Sequence, residues 1–393
     1  MRRCDRCYFW TFGQKLLSVA KTHLGVLAVL RVFLLLFTIS TLSACVDRSV
    51  SVTLPEALDV GTPETVYGAT TRGRDPDGTY NAERGDGLQY LEMTVSIPPT
   101  HTPGSLNFSY ADPNPKNQFV LAGVTEFSNS QGLAKQLRGA DDVTIFVHGY
   151  NSTHTETAFR AAQLAHDIEI PGEILIYSWP SQARGAGYAY DLDSMLFARD
   201  GLEKTVRDLK SMGVKRVVLV AHSMGGALSM EMMRQAELRA PGWSRRNLEG
   251  VFLISPDLDV DVFRSQMDNI ASPPEPFVVM VSRKDKILNI SARLRGLPDG
   301  ERLGNISSID DLSEYPIDVI DTTAFNDDAG SSHFVAATSP ALLSILNSVR
   351  RVGDTFGKVR SRVDVIVPDI ERNPDGATEI VLTGTEQAQV TTP

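Results

Sequence analysis

From residue 142 onward the chain alternates between two spacings of apolar residues. Continuous apolar runs recur as "DVTIFVHGYN" (142–151), "EILIYSWP" (173–180), "RVVLVA" (216–221), "GVFLIS" (250–255), "FVVMVS" (277–282) and "PIDVID" (316–321). Runs of that kind suit strands buried on both faces. Between them the period lengthens to that of a helix. Ala158, Ala161, Ala165 and Ile168 share one helical face, and Met195, Ala198, Leu202, Val206 and Leu209 share another. Asp193 or Ser194 is the predicted N-cap of the second helix and Gly213 its stop. A last helix is predicted from Ser339-Pro340, a capping serine followed by proline at the first helical position, through Leu342, Leu343, Leu346 and Val349. Upstream, "LQYLEMTVSIP" (88–98) and "QFVLAGVTEF" (118–127) read as strands at an antiparallel edge. The expected fold class is therefore α/β: a mostly parallel sheet covered by helices on both faces, with antiparallel N-terminal edge strands.

The flanks lack this regularity. Residues 45–87 are rich in Gly, Pro, Thr, Asp and Arg and read as a tether and irregular lead-in. The folded domain is expected over 88–351. Residues 352–393 read as a C-terminal tail, partly disordered, in which "VDVIV" and "EIVLTG" alternate only briefly. Residues 1–44 combine scattered cations with the apolar run "VFLLLFTISTLSAC", the pattern of a secretory signal. The ending Leu42-Ser43-Ala44-Cys45 resembles the lipobox of bacterial lipoproteins, which implies cleavage before Cys45 and acylation of that residue. An uncleaved membrane helix over 24–44 would have to bury Arg31 in hydrocarbon. Cys4, Cys7 and Cys45 are the only cysteines, so a mature chain starting at Cys45 has no internal disulfide. The expected location is the bacterial cell envelope, outside the cytoplasm, with the membrane as a partner through the lipid.

Charge narrows the partners. The chain carries a formal net charge of −10, and the first 44 residues are themselves cationic. An acidic body offers no electrostatic attraction to nucleic acid.

In a parallel sheet, ligands gather at the carboxyl ends of the strands. Those ends hold His148-Gly149-Tyr150-Asn151, Ser178-Trp179-Pro180, His222-Ser223-Met224, Pro256-Asp257 and Lys284-Asp285, with His333 in a loop beyond the last strand. Ser223 lies in "VVLVAHSMGGAL" (217–228), where a strand gives way to a helix. A nucleophile elbow needs small residues two positions either side of its serine. Gly225 meets that downstream, and Ala221 departs from glycine by one methyl upstream.

A serine nucleophile needs a base, and the base an orienting acid. Of seven histidines, His23 lies in the signal, His101 in the edge region, and His148, His154 and His166 around the third strand and its helix. His222 adjoins the serine with its side chain directed away. His333 alone follows Ser223 in the chain order Ser…Asp…His. Asp285 is the leading acid, against Asp257, Asp259, Asp321, Asp327 and Asp328. The Met224 N–H at the helix start and the Tyr150 N–H after Gly149 are the expected oxyanion donors.

The ordered set "VHGYN", "YSWPS", "AHSMGG", "SRKDKIL" and "SSHFV" resembles the bacterial α/β-hydrolase family catalogued as a domain of unknown function, number nine hundred. "YGATTR" (67–72) and "VSIPPTHTPG" (95–104) resemble its lead-in, so the likeness spans about 65–350. The resemblance implies an α/β-hydrolase fold, esterase- or lipase-like activity, Ser223 as nucleophile, Asp285 as acid and His333 as base. It also implies that A-H-S-M-G is the family's ordinary elbow. The expected function is a serine hydrolase acting on a small ester or lipid-like substrate without a cofactor. An amidase, peptidase or thioesterase with the same residues, or a catalytically silent envelope scaffold, are the alternatives.

Overall fold

The structure, a computed structural model, describes residues 48, 52–296, 301–326, 333–340, 342–343, 376–382 and 388–391. The expected signal segment, Cys45, Asp327 and Asp328 lie outside these residues, as does 352–375.

Among the described residues one eleven-stranded sheet runs in the order β11-β10-β9-β8-β7-β6-β4-β5-β1-β2-β3. The strands are β1 (Thr62–Arg74), β2 (Tyr80–Ile97), β3 (Val120–Phe127), β4 (Asp142–Val147), β5 (Glu173–Ser178), β6 (Arg216–His222), β7 (Gly250–Ile254), β8 (Phe277–Val281), β9 (Asp318–Asp321), β10 (Thr378–Leu382) and β11 (Ala388–Thr391). From β1 through β5, β4, β6, β7, β8 and β9 to β10 every pairing is parallel. β2 and β3 add antiparallel strands at one edge and β11 at the other. The expected mixed sheet is thus borne out, and the fold is of the α/β-hydrolase type.

Each sheet face buries its own core. Val143, Ile145, Val147, Val217, Leu219 and Ala221 pack toward α3 (Tyr188–Ser211), α4 (Met224–Arg239) and α6 (Val260–Met267). Phe146, Ile174, Ile176, Val278 and Ile320 pack on the other face with α2 (His154–Ile168) and with Phe334, Val335, Leu342 and Leu343. Period-two alternation of side chains lets one strand feed both cores. The remaining helices are α1 (Ser130–Gln136), α5 (Trp243–Asn247), α7 (Lys286–Leu294) and α8 (Val335–Thr338). α2 starts at a capping box, in which Thr153 Oγ1 accepts from the Glu156 N–H and Glu156 accepts from the Thr153 N–H. The Ser339 cap holds as expected, its Oγ accepting from the Leu342 N–H at 3.3 Å.

Three boundaries differ from the sequence reading. Residues 62–87 are not irregular: β1 and the start of β2 lie there. β1 is buried from Val66 to Arg72 although it carries Thr70, Thr71 and Arg72. Thr70 Oγ1 donates to the Ser178 carbonyl (2.7 Å) and Arg72 is hydrogen-bonded throughout, so polar residues occupy a buried strand. The second helix begins at Tyr188, with Gly187 as its N-cap, so Asp193 and Ser194 lie inside it rather than at its start, and Asp191 in its first turn accepts from Ser181 and Gln182. In the C-terminal region β10 lies parallel to β9 and extends the sheet.

The chain passes from β4 to β5 on one side and then to β6 on the other. Strand order reverses at β4, and the carboxyl ends of β4 and β6 border that switch point.

Candidate active site

β6 ends at His222 and α4 begins at Met224, so Ser223 alone makes the turn. Its backbone adopts φ 54°, ψ −122°, a conformation that costs a residue with a Cβ about 1–3 kcal/mol. Neighbouring backbone holds it there. The Ser223 N–H donates to the Ile254 carbonyl (3.0 Å), and the Ser223 carbonyl accepts from Gly226 (2.9 Å) and Asp257 (3.1 Å). A Cβ on Gly225 would lie 2.5 Å from the His148 carbonyl oxygen, so only glycine lets the helix cross the end of β4. Ala221 is buried and paired with Val147 and Leu253, its methyl absorbed by the core.

Ser223 Oγ lies 2.9 Å from His333 Nε2, and His333 Nδ1 lies 2.7 Å from Asp285 Oδ2. A carboxylate only accepts, so Nδ1 carries the proton and Nε2 accepts from the serine hydroxyl. Asp285 is fully buried and caps α7, its Oδ1 accepting from the N–H groups of Ile287 (2.9 Å) and Leu288 (3.1 Å). The structure therefore brings Ser223, His333 and Asp285 into one chain of hydrogen bonds.

The other aspartates are engaged elsewhere. Asp257 accepts from Ser291 Oγ (2.6 Å), Arg302 Nε (2.8 Å) and the Tyr188 hydroxyl (2.7 Å). Burial alone would raise its carboxyl, but Arg302, with these hydrogen bonds and Arg295, holds it below the ordinary value. Asp259 caps α6, and Asp321 pairs with Arg283 at 3.2 Å. A second Ser–His–Asp string occurs in the N-terminal edge: Ser105 Oγ is 3.3 Å from His101, which meets Asp167 at 2.6 Å. There the Ser105 hydroxyl donates to the Thr102 carbonyl within its own turn (2.7 Å).

The backbone N–H groups expected to serve Ser223 are reached through its neighbours: Met224 follows it directly, and Tyr150 follows Gly149. Met224 is the first residue of α4, where N–H groups have no partner within the helix. Gly149, just before Tyr150, lies so close that a Cβ there would stand 2.8 Å from Ser223 Cβ. No acceptor among the described residues engages either N–H.

Sequence reading placed His148 and Trp179 at strand ends, but missed the contacts that fix these loops. The His148 ring stacks on Trp179, with 4.8 Å between centroids and 6° between planes. Trp179 Nε1 donates to the His148 carbonyl (2.8 Å). Arg72, buried at the end of β1, donates to the carbonyls of Ser152 (2.7 Å) and Ser181 (3.0 Å) and to Ser178 Oγ (2.9 Å). Burial lowers the Arg72 pKa to about 10, so it stays cationic at neutral pH. Burial and that cation hold the His148 pKa well below the imidazole value. His222 faces away from the hydroxyl but has its own task. Its Nε2–H donates to the His333 carbonyl (3.1 Å) while its ring stacks on Phe334 at 3.9 Å. Burial, reinforced by His333, keeps His222 neutral. The Tyr150 hydroxyl donates to the Gly185 carbonyl (2.5 Å), tying the 181–187 loop to the loop after β4. No local periodicity signals these contacts; the arginine in "YGATTR" was visible only as part of a resemblance.

Residues 125–350, more than half of the chain, match the family model described as an alpha/beta hydrolase of unknown function (DUF900). This chain belongs to that family. The match begins after the lead-in expected from residue 65, so β1, β2 and Arg72 lie upstream of the DUF900 region. Among solved structures, the DUF900 chain is similar to fungal esterases from Rhizomucor miehei, with 14% identity, 80% of this chain and 87% of that one covered, and a TM-score of 0.30. It is also similar to a hyperthermophilic esterase from Pyrobaculum calidifontis (10% identity, 76% and 87% covered, TM-score 0.32). A third likeness is to dienelactone hydrolase from Anabaena variabilis (13%, 68% and 92%, TM-score 0.32). No curated protein matches the chain.

Proposed function

We propose that this DUF900 protein is a serine hydrolase that cleaves carboxylic esters through an acyl-enzyme. The observation that carries the reading is the Ser223–His333–Asp285 hydrogen-bond chain set on a strained strand-to-helix turn. Ser223 Oγ attacks the ester carbonyl as His333 Nε2 takes its proton, and Asp285 steadies the imidazolium that forms. The N–H groups of Met224 and Tyr150 receive the negative charge on the carbonyl oxygen. His333 then protonates the departing alcohol, and a water activated by the same nitrogen releases the acid and restores Ser223.

A fluorophosphonate probe tests this directly. Wild-type protein should label, while Ser223→Ala and His333→Ala should lose at least about a thousandfold in labelling rate. Equal labelling of Ser223→Ala, or none of wild type, would end the proposal. Esters of water-soluble alcohols then report turnover. We further propose that Cys45 carries a lipid anchor in a bacterial envelope, on the strength of the Leu42–Cys45 sequence. Radiolabelled palmitate should enter the wild-type chain and not Cys45→Ala; equal incorporation refutes the anchor.

A further inference from the structure

α7 leaves the candidate site with an unusual outer face. Its N-cap is Asp285, and Leu288, Ser291 and Ala292 turn inward. At 100° per residue, Ile287, Ile290 and Leu294 fall within about 60° of one another and form a stripe turned about 120° from the inward face. They are 43%, 51% and 64% exposed, so the fold leaves about half of each in solvent. Lys286 and Arg293 project along one flank of that stripe, both exposed and neither paired with a carboxylate among the described residues. Residues 283–295 hold Arg283, Lys284, Lys286, Arg293 and Arg295 against Asp285 alone, in a chain whose net charge is −10. Asp285 is itself buried against His333, and Arg283 is neutralised by Asp321 and Glu379.

We propose that the outer face of α7 docks on an anionic lipid surface. Ile287, Ile290 and Leu294 enter the boundary between headgroups and acyl chains, and Lys286 and Arg293 meet lipid phosphates. A second copy of the chain is a poorer occupant, because an antiparallel two-fold pairing of the stripe would bring the cations of both copies to one side. Docking stands apart from the hydrolase reading. Its use for substrate delivery rests on that reading: the helix that meets the bilayer begins at the residue bound to His333, so esters embedded in the membrane reach Ser223 with a short path.

The test uses the full chain carrying Cys45→Ala, so that no lipid anchor holds it to the bilayer, and vesicles of brominated phosphatidylcholine with or without phosphatidylglycerol. Trp179 and Trp243 are buried and Trp10 lies outside the described residues, so an Ile290→Trp variant reports its own site once wild-type quenching, that of Trp10 included, is subtracted. Bromine quenching of that tryptophan should appear with phosphatidylglycerol and fade with added salt. Adding Lys286→Gln and Arg293→Gln should weaken the vesicle affinity read this way by roughly 25-fold, about fivefold for each cation. Three results would each overturn docking. They are quenching no greater than wild type, equal quenching on vesicles without anionic lipid, and lipid-free sedimentation showing that Ile290→Trp dissolves a dimer present in wild type. Fluorophosphonate labelling of the same variant separates the two ideas, because docking without labelling refutes only the hydrolase.

Discussion

One oxygen of Asp285 holds the first turn of α7 and the other holds His333, so a helix and a proton relay share a single carboxylate. Asp285→Asn separates the two duties. Its amide oxygen can still cap α7, but its NH2 facing His333 forces the proton onto Nε2, where Ser223 can no longer donate. Ester turnover should fall by about ten-thousandfold while the melting temperature moves little. Asp257→Asn should do the reverse. It strips the buried Arg302 of its closest carboxylate, a loss of about 3–5 kcal/mol of stability, while the folded fraction keeps labelling. Thermal melts paired with fluorophosphonate rates decide between them, and a ten-thousandfold loss in Asp257→Asn instead would move the acid to that residue.

The strand-to-helix elements place Ser223 and the Tyr150 N–H together by bare backbone approach. Gly149→Ala puts a methyl 2.8 Å from both Ser223 Cβ and His222 Nδ1, so the loop after β4 must retreat. Turnover should drop by about a hundredfold, the scale of losing one oxyanion donor, with KM for a short ester nearly unchanged. Unchanged turnover would show that Tyr150 gives no donor. At this scale the apolar runs of β4 to β9 were legible because strands buried on both faces have little polar content. Ser223 was legible through the small residues its turn demands, and His333 through its place in the chain order. β1 was not, because its Thr70 and Arg72 are satisfied by β5 and by the loops after β4 and β5, partners far away in sequence. The supporting contact of His222 likewise exists only once residue 333 folds back over the sheet.

Across the whole molecule, three imidazoles, two buried and that of His222 half-buried, tie stability to pH. Burial drives His148 and His222 well below their ordinary range, and it lowers His154 to about 3 with help from Arg72 and Arg74. Each is neutral when folded and free to protonate when unfolded below about pH 6.5. The unfolded chain then binds more protons, so stability falls as pH falls, by up to about 1.4 kcal/mol per pH unit for each group. Asp191, raised by burial, acts with the opposite sign but only near the carboxylate range. Urea midpoints should therefore decline steadily from pH 7 to pH 5. His154→Phe should flatten that decline by about one proton; an unchanged slope would mean that His154 finds a solvated or paired position.

The turn at Ser223 has one more consequence. At φ 54° and ψ −122° the backbone would be relieved by a residue without a Cβ, and glycine would relax the strain for the loss of one small side chain. Mutation left to drift therefore pulls this position toward glycine. A chain that no longer used its hydroxyl would be the sturdier one, so the serine that stands there marks what use of the site has withheld from stability.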